Sequence, residues 1–342
     1  MKKLITFIVT IVIATTGMAA QSGDSSQFYF QKGLEEKKAK RYQVASDHFT
    51  KAIELNSGYV DAYIEKGYAN NEMRRTDAAK ADFTKALELD PQNETAIKEL
   101  TSIYFNYRQY QNALDLAQKC KSCADKDRII AMCYFKMEDY GKAERLLVAQ
   151  VNKNPKDAEL AYTLASNYLE MGLEPKAITW YENAVQLDNT QSKWFFELGL
   201  LYSNTNDYKK AVVVYNKAAE LGFTKGNDFN ENLGFAYVYS GDFDNGDKLL
   251  SDLVRRKPGD KELIRDIASA FYDSKNYDKS LDYCQKLLEM DMKDGKALYQ
   301  AGLCFQKKGM VERGMQMCDK AIELDPSLAN MKKTKKLLSP GL

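Results

Sequence analysis

Cys120 and Cys123 form the one Cys-x-x-Cys spacing in this 342-residue sequence. Such a pair can close as a local disulfide, cycle as a redox couple, or supply half of a thiolate metal site. A four-cysteine zinc site needs a second pair, and only Cys133 is near in sequence. A redox couple normally sits at the start of a helix after a strand, where the thiolate is stabilised. Cys120 falls instead near the end of an expected helix. In an oxidising compartment a structural disulfide is the preferred assignment, with two reduced thiols next. Cys133 and Cys304 each follow a small residue (Ala131, Gly302) by two positions, and Cys284 and Cys318 stand where other segments carry a larger residue. All four suit packing.

Other chemistry is sparse. His48 is the sole histidine and is expected on an outer helix face, which leaves no histidine-based metal site and no general base with partners. There is no glycine-rich phosphate loop and no Gly-x-Ser-x-Gly nucleophile turn. Carboxylates are numerous but interleaved with lysines in the manner of solvated helix faces. The expectation is a protein that is not an enzyme and carries no cofactor and no metal.

The elements that position these residues are helical. Hydrophobic residues make up 44% and charged residues 28%, a globular composition, with only 6 prolines and 19 glycines. Residues 1–20 differ: Lys2 and Lys3 precede an apolar run from Leu4 to Ala14, followed by Gly17, Ala19 and Ala20. That is the pattern of a cleaved export signal, with cleavage after Ala19 or Ala20. The apolar run is shorter than the roughly 20 residues a bilayer span requires, so no integral span is expected after cleavage. The expected location is periplasmic or secreted. Without residues 1–20 the chain has 47 basic and 48 acidic residues, and this balance gives no electrostatic case for nucleic acid. The Lys332, Lys333, Lys335, Lys336 cluster is assigned to the solvated end of a terminal helix.

Internal periodicity decides the fold. Small residues recur at Gly33, Gly67, Ala131, Ala165, Gly199, Gly234, Ala268 and Gly302, with Thr101 as the departure; the spacing is 34 or 35 residues, except 30 from Thr101 to Ala131. Twelve residues after each comes another small residue: Ala45, Ala79, Ala113, Ala143, Ala177, Ala211, Gly246, Ser280 and Gly314. Four residues further on stand larger side chains, among them Phe49, Phe83, Leu147, Tyr181, Tyr215 and Leu250, with Ala117 in the third copy. Two antiparallel helices approach closely only where a crossing side chain is small, and large residues one turn away fill the remaining space. Pro91, Pro155, Pro258 and Pro326 mark where second helices stop, because proline lacks the N–H an interior turn needs. Gly141, Gly172–Leu173, Asn206–Asp207 and Gly241–Asp242 supply turn chemistry between the helices.

With these residues the sequence resembles the tetratricopeptide repeat (TPR) family, most clearly in Ala165, Tyr168, Gly172, Ala177, Tyr181 and Ala184, and again in Leu198, Gly199, Tyr202, Tyr208, Ala211, Tyr215 and Ala218. The resemblance implies an all-α, right-handed superhelical solenoid. The expected organisation is an export signal at 1–20, a linker at 21–26, nine repeats over 27–326, and a capping helix with a tail at 327–342. The repeats fall at about 27–59, 60–93, 94–123, 124–157, 158–191, 192–225, 226–260, 261–294 and 295–326. The short step between the third and fourth predicts a tight or distorted turn around Lys121–Asp125. After Pro326, Ser327 can cap the last helix, whose Leu328, Met331, Leu337 and Leu338 cover the ninth repeat.

The resemblance also implies that first helices line a concave, partner-binding face. Carried over residue by residue, that face includes Phe105, Phe135, Tyr162, Phe196, Leu200, Phe235, Tyr239, Arg265, Tyr272 and Tyr299, with Lys98, Arg128, Glu197, Glu231, Asn232 and Asp266 interleaved. The family's version that grips a terminal carboxylate pairs Lys with Asn one turn on. Lys98 has Ser102 and Arg128 has Met132, so an extended peptide or amphipathic helix fits better. The expected function is a non-catalytic adaptor in a cell-envelope assembly. The alternative is a chaperone-like holder of exported or outer-membrane clients, with thiol–disulfide activity from Cys120 and Cys123 as a third reading.

Overall fold

The computed structural model describes residues 25–121, 123 and 125–329. The export signal and all but the first residues of the expected capping helix lie outside the described residues. Two compact units are present, one comprising the chain to Lys156 together with Ser166–Gly172, the other Asp157–Ala165 together with the chain from Leu173. All regular structure among the described residues is helical.

The first unit holds α1 (25–38), α2 (Tyr42–Leu55), α3 (Val60–Glu72), α4 (Thr76–Leu89), α5 (Glu94–Asn106), α6 (Tyr110–Lys119), α7 (Lys126–Lys136) and α8 (Tyr140–Lys153). The residues of α9 (Ala158–Glu170) divide between the units. The second unit continues with α10 (Glu174–Leu187), α11 (Ser192–Asn204), α12 (Tyr208–Glu220), α13 (Asn227–Ser240) and α14 (Phe243–Arg256). It ends with α15 (Lys261–Asp273), α16 (Tyr277–Met290), α17 (Gly295–Lys307), α18 (Val311–Leu324) and a 3-10 turn at Pro326–Leu328. Ser25 and Ser26, assigned from sequence to a linker, already belong to α1.

The small residues stand where the two helices of each hairpin cross. A Cβ added at Gly33 would lie 2.4 Å from the Phe49 ring, at Gly67 2.8 Å from Phe83, at Gly199 2.5 Å from Tyr215, and at Gly302 2.6 Å from Cys318 Sγ. Each glycine therefore makes room for the residue sixteen positions later. The third repeat reverses the sizes: Thr101 on α5 is the larger member, and Ala117 on α6 the smaller. All of these partners are buried. What recurs is the combined volume of the pair.

The turns between first and second helices share one conformation. Their central residue is left-handed in every repeat: Lys40, Arg74, Arg108, Glu138, Gly172, Asn206, Gly241, Lys275 and Gly309 all have positive φ. Gly141, taken from sequence as a turn residue, instead lies inside α8, and Glu138 makes the turn. Second helices begin with a polar cap in several repeats: Asp139, Asp207, Asp242 and Asn276 each accept from the backbone N–H three residues on. The prolines fall just past α4, α8, α14 and α18.

The 30-residue step is absorbed by the helices and not by a tightened turn. Helix α6 has 10 residues where α2 and α4 have 14, so one turn is missing, while the linker from Cys120 to Asp125 is longer than Asp90–Asn93. At the other end Asp325, not Ser327, acts as cap, accepting from Ser327 N at 3.1 Å. Leu328 is buried with Tyr299, Cys318 and Ala321 as the apolar pattern requires.

Candidate functional site

The first helices place the residues singled out above in two settings, one in each unit. In the first unit, Phe105 on α5 packs edge-on to Tyr110 at 5.3 Å. With Thr101, Ser102, Arg128, Ile129 and Met132 it lines a cleft of about 170 Å³ between α5 and α7. Phe135 sits 6.1 Å from Tyr140, with Lys136 Nζ 5.1 Å from its ring centre.

In the second unit most of the aromatic side chains are engaged by their own chain. Phe196 stacks on Phe223 at 4.5 Å and meets Phe229 at 5.8 Å and Tyr215 at 5.7 Å. Tyr162 stacks on Trp194 at 4.8 Å and Tyr239 on Tyr208 at 4.7 Å, while Tyr272 meets Tyr277 edge-on at 5.5 Å. Phe235 packs on the cluster built around Ile267 and Phe271, and Leu200 is half-buried. Tyr239 is 37% exposed and Tyr299 only 5%. The expectation of Tyr299 as an open groove residue is thus corrected: its ring belongs to the terminal core cluster. Tyr162 and Phe196 thus pack against residues that follow their own hairpin, Trp194 for the one and Phe223 and Phe229 for the other.

The polar members converge on a different feature. Arg265 on α15 donates to Glu262 at 2.5 Å and to Asp294 at 2.9 Å through its two terminal nitrogens. Among the described residues its buried Nε has no acceptor, and neither has Gln300 Nε2 on α17. Both residues line a cavity of about 390 Å³ together with Asp266, Ser269, Lys296, Tyr299 and Leu328. Burial opposes the Arg265 charge, but Glu262 and Asp294 outweigh it and raise its pKa. Burial and the nearby Glu262 carboxylate push Asp266 up. Glu231 on α13 is pushed up by burial and by Asp228, Asp260 and Asp266, against Lys257. Sequence reasoning named Arg265 and Asp266 but missed Ser269, Lys296 and Gln300. The signal was present: Arg265 with Ser269, and Lys296 with Gln300, are each four apart on successive first helices.

Cys120 and Cys123 are joined by a disulfide at the start of the long linker, with Cα atoms 5.8 Å apart. Cys133, Cys284, Cys304 and Cys318 are buried and take part in no disulfide among the described residues. Burial raises the thiols of Cys133 and Cys284 to about 11 and about 12. His48, expected on the outer surface, is half-buried and stacks on Tyr29 at 6.0 Å.

Repeated helical hairpins with a small residue at every crossing, and cavities lined by first helices, define an α-helical repeat protein of the interaction class. The tetratricopeptide repeat profile matches residues 26–59, 60–93, 158–191, 195–221 and 295–328, and a second profile of the same repeat matches 232–295. The chain belongs to the tetratricopeptide repeat family and is a protein–protein interaction scaffold of that type. It is 28% identical over 156 residues to the human protein O-mannosyl-transferase TMTC1, covering 46% of this chain and 17% of that protein. It is 29% identical over 94 residues to the Hsp70-Hsp90 organizing protein 1 of Glycine max, covering 28% and 16%. The chain therefore spans about a sixth of the length of these curated relatives. Among solved structures, YrrB, described as a TPR protein with an unusual peptide-binding site, is 24% identical, with a TM-score of 0.43 over 51% of this chain and 92% of that one. No helix among the described residues is long and apolar enough to cross a membrane.

Proposed function

We propose that the chain is a non-catalytic adaptor in a bacterial cell-envelope assembly, holding an extended peptide or a helix of its partner against its first helices. The observation that carries this reading is the cavity between α15 and α17, where Arg265 Nε and Gln300 Nε2 are buried donors with no acceptor among the described residues. A buried donor left unsatisfied costs about 1–3 kcal/mol, which an incoming carbonyl or carboxylate oxygen recovers. The cavity also has Lys296 at its wall and an apolar side at Leu328. A peptide segment carrying an acidic or amide group beside an aliphatic one matches that lining. The envelope setting rests on Lys2, Lys3 and the apolar run after them.

The test is site-specific photocrosslinking in intact cells, from Ser269 beside the cavity and from the exposed Val213 on a second helix. One defined partner captured from Ser269, and reduced by Arg265→Ala, supports the adaptor. Many partners in low yield indicate a holder of unfolded clients. Capture from Val213 alone refutes a site on the first helices. Fractionation of the same cells checks the compartment, and recovery in the cytoplasm removes the envelope part of the proposal.

A further inference from the structure

The missing turn of α6 has a chemical consequence. Because α6 stops at Lys119, Cys120 and Cys123 fall opposite the N-terminus of α5, beside its first residue, Glu94. A Glu94 carboxylate oxygen and the two sulfurs all lie within 4.8 Å of one another. Around them is a cavity of about 280 Å³, lined also by Lys98, Thr101, Asp125 and Lys126. Thr101 Oγ1, at the same wall, is buried and has no hydrogen-bond partner among the described residues.

We propose that the reduced chain binds one zinc ion through Cys120, Cys123 and Glu94, and that this site and the disulfide are alternative states of the junction between the third and fourth repeats. Four-coordinate zinc holds sulfur at about 2.3 Å and carboxylate oxygen at about 2.0–2.2 Å, so its ligand atoms stand roughly 3.5–3.8 Å apart. Opening the disulfide brings the sulfurs to that separation without displacing Glu94. The cavity has room for a fourth ligand, either water or the Asp125 carboxylate. Two thiolates and one carboxylate on a divalent ion leave one net negative charge, which Lys98 and Lys126 face across the cavity. Cys133, the third cysteine near in sequence, is excluded: it is fully buried in the α6–α7 core with Ala113, Leu114 and Ile130. Glu94 therefore takes the place that a further cysteine would fill.

The chemistry balances with a dithiol reductant. The dithiol gives two electrons and two protons to the disulfide and becomes a cyclic disulfide itself, leaving Cys120 and Cys123 as thiols. Zinc then displaces both thiol protons to solvent. A disulfide oxidant that takes up the two electrons, and becomes a dithiol itself, re-forms the Cys120–Cys123 bond and expels the ion.

The experiment uses the purified chain, reduced with dithiothreitol, desalted without oxygen and titrated with Zn²⁺ against a chromophoric chelator. Co²⁺ serves as a spectroscopic substitute. One ion per reduced chain is expected, none per oxidised chain, and a sulfur-to-cobalt charge-transfer band with tetrahedral d–d absorption. Glu94→Gln, at an exposed position, should weaken zinc binding at least tenfold and alter the cobalt d–d bands. Cys133→Ser should leave both unchanged. The proposal is overturned if Glu94→Gln binds like the parent, if Cys133→Ser weakens binding, or if the reduced chain takes up no stoichiometric ion while its helical circular dichroism is intact.

Discussion

The complementarity between a small residue on a first helix and its partner sixteen positions later gives a quantitative prediction at Gly199 and Tyr215. Tyr215 is fully buried, meets Phe196 and Phe229, and its hydroxyl lies 3.3 Å from Ser203 Oγ. Truncating a buried aromatic residue costs about 3–5 kcal/mol, so Tyr215→Ala should be strongly destabilising. Gly199→Val places a Cβ 2.5 Å from the Tyr215 ring, and the two methyl groups crowd it further. Overpacking of this kind costs about 1–3 kcal/mol. If the two sites acted independently, the double variant would lose roughly 4–8 kcal/mol. The third repeat shows the alternative solution, with the larger residue at Thr101 and the smaller at Ala117; valine reproduces that shape without the hydroxyl that Thr101 leaves unpartnered. The double variant should therefore be more stable than the sum of the singles by about 1–3 kcal/mol, the range for residues in direct contact. Urea unfolding followed by tryptophan fluorescence measures this locally, because of the only two tryptophans Trp194 lies on α11 within this hairpin, stacked on Tyr162, and Trp180 lies on the preceding α10. Repeat arrays can unfold in stages, so the comparison requires a constant denaturant slope across all four proteins. Strict additivity would refute the paired-volume account of the fold.

Three further outcomes follow from individual positions. Lys275 holds a left-handed turn with φ 63°, and Lys275→Gly should raise stability by about 0.5–1 kcal/mol, measured as the urea midpoint; a loss would show that the lysine stem contributes packing at that turn. Burial raises the Cys133 and Cys284 thiols to about 11 and about 12, so at pH 8 neither forms appreciable thiolate. In the folded chain they should resist iodoacetamide, and they should be alkylated in urea; rapid labelling under native conditions, read by mass mapping, would contradict their burial. Asp82 accepts from Lys66 Nζ at 3.0 Å and Asn70 Nδ2 at 2.7 Å in a buried setting. Asp82→Ala leaves both donors unpaired and should cost about 1–3 kcal/mol, with Asn70→Leu in the same background recovering part of it. An unchanged midpoint for Asp82→Ala would show that solvent satisfies both donors.

The hairpin array was legible because helix crossings impose a residue size at a recurring interval, and nine copies leave little freedom. Gly33, Gly67 and Gly199 announce the crossings, and Pro91, Pro155 and Pro258 announce where second helices end. The turns were less legible for a physical reason. Lys40, Arg74, Arg108, Glu138 and Lys275 adopt a conformation that favours glycine, because the two packed helices on either side dictate the turn and outweigh its local cost of about 1–3 kcal/mol. Composition therefore pointed to Gly141, which is helical, and passed over Glu138.

The working surface was the least legible part, and the cause lies in how repeats meet. A first-helix aromatic residue is open only if nothing from the following repeat reaches it, and that depends on residues outside its own period. Phe196 is covered by Phe223, from the irregular connection before α13, and by Phe229 on α13 itself. Tyr162 is covered by Trp194 in the same way. None of the three covering residues is among the small and large residues that mark the repeat, so a map based on those residues counts Phe196 and Tyr162 as groove. Polar residues invert the logic. A buried donor without an acceptor marks an unfilled position in the packing, whatever its place in the repeat, and Arg265 with Gln300 marks one between α15 and α17. Phe196→Asp should thus destabilise the hairpin by setting a carboxylate among three aromatic rings, whereas Arg265→Ala should leave the helix content intact and act on partner capture alone. Equal loss of helical signal in both variants would show that Arg265 too holds the fold and would remove it from the site.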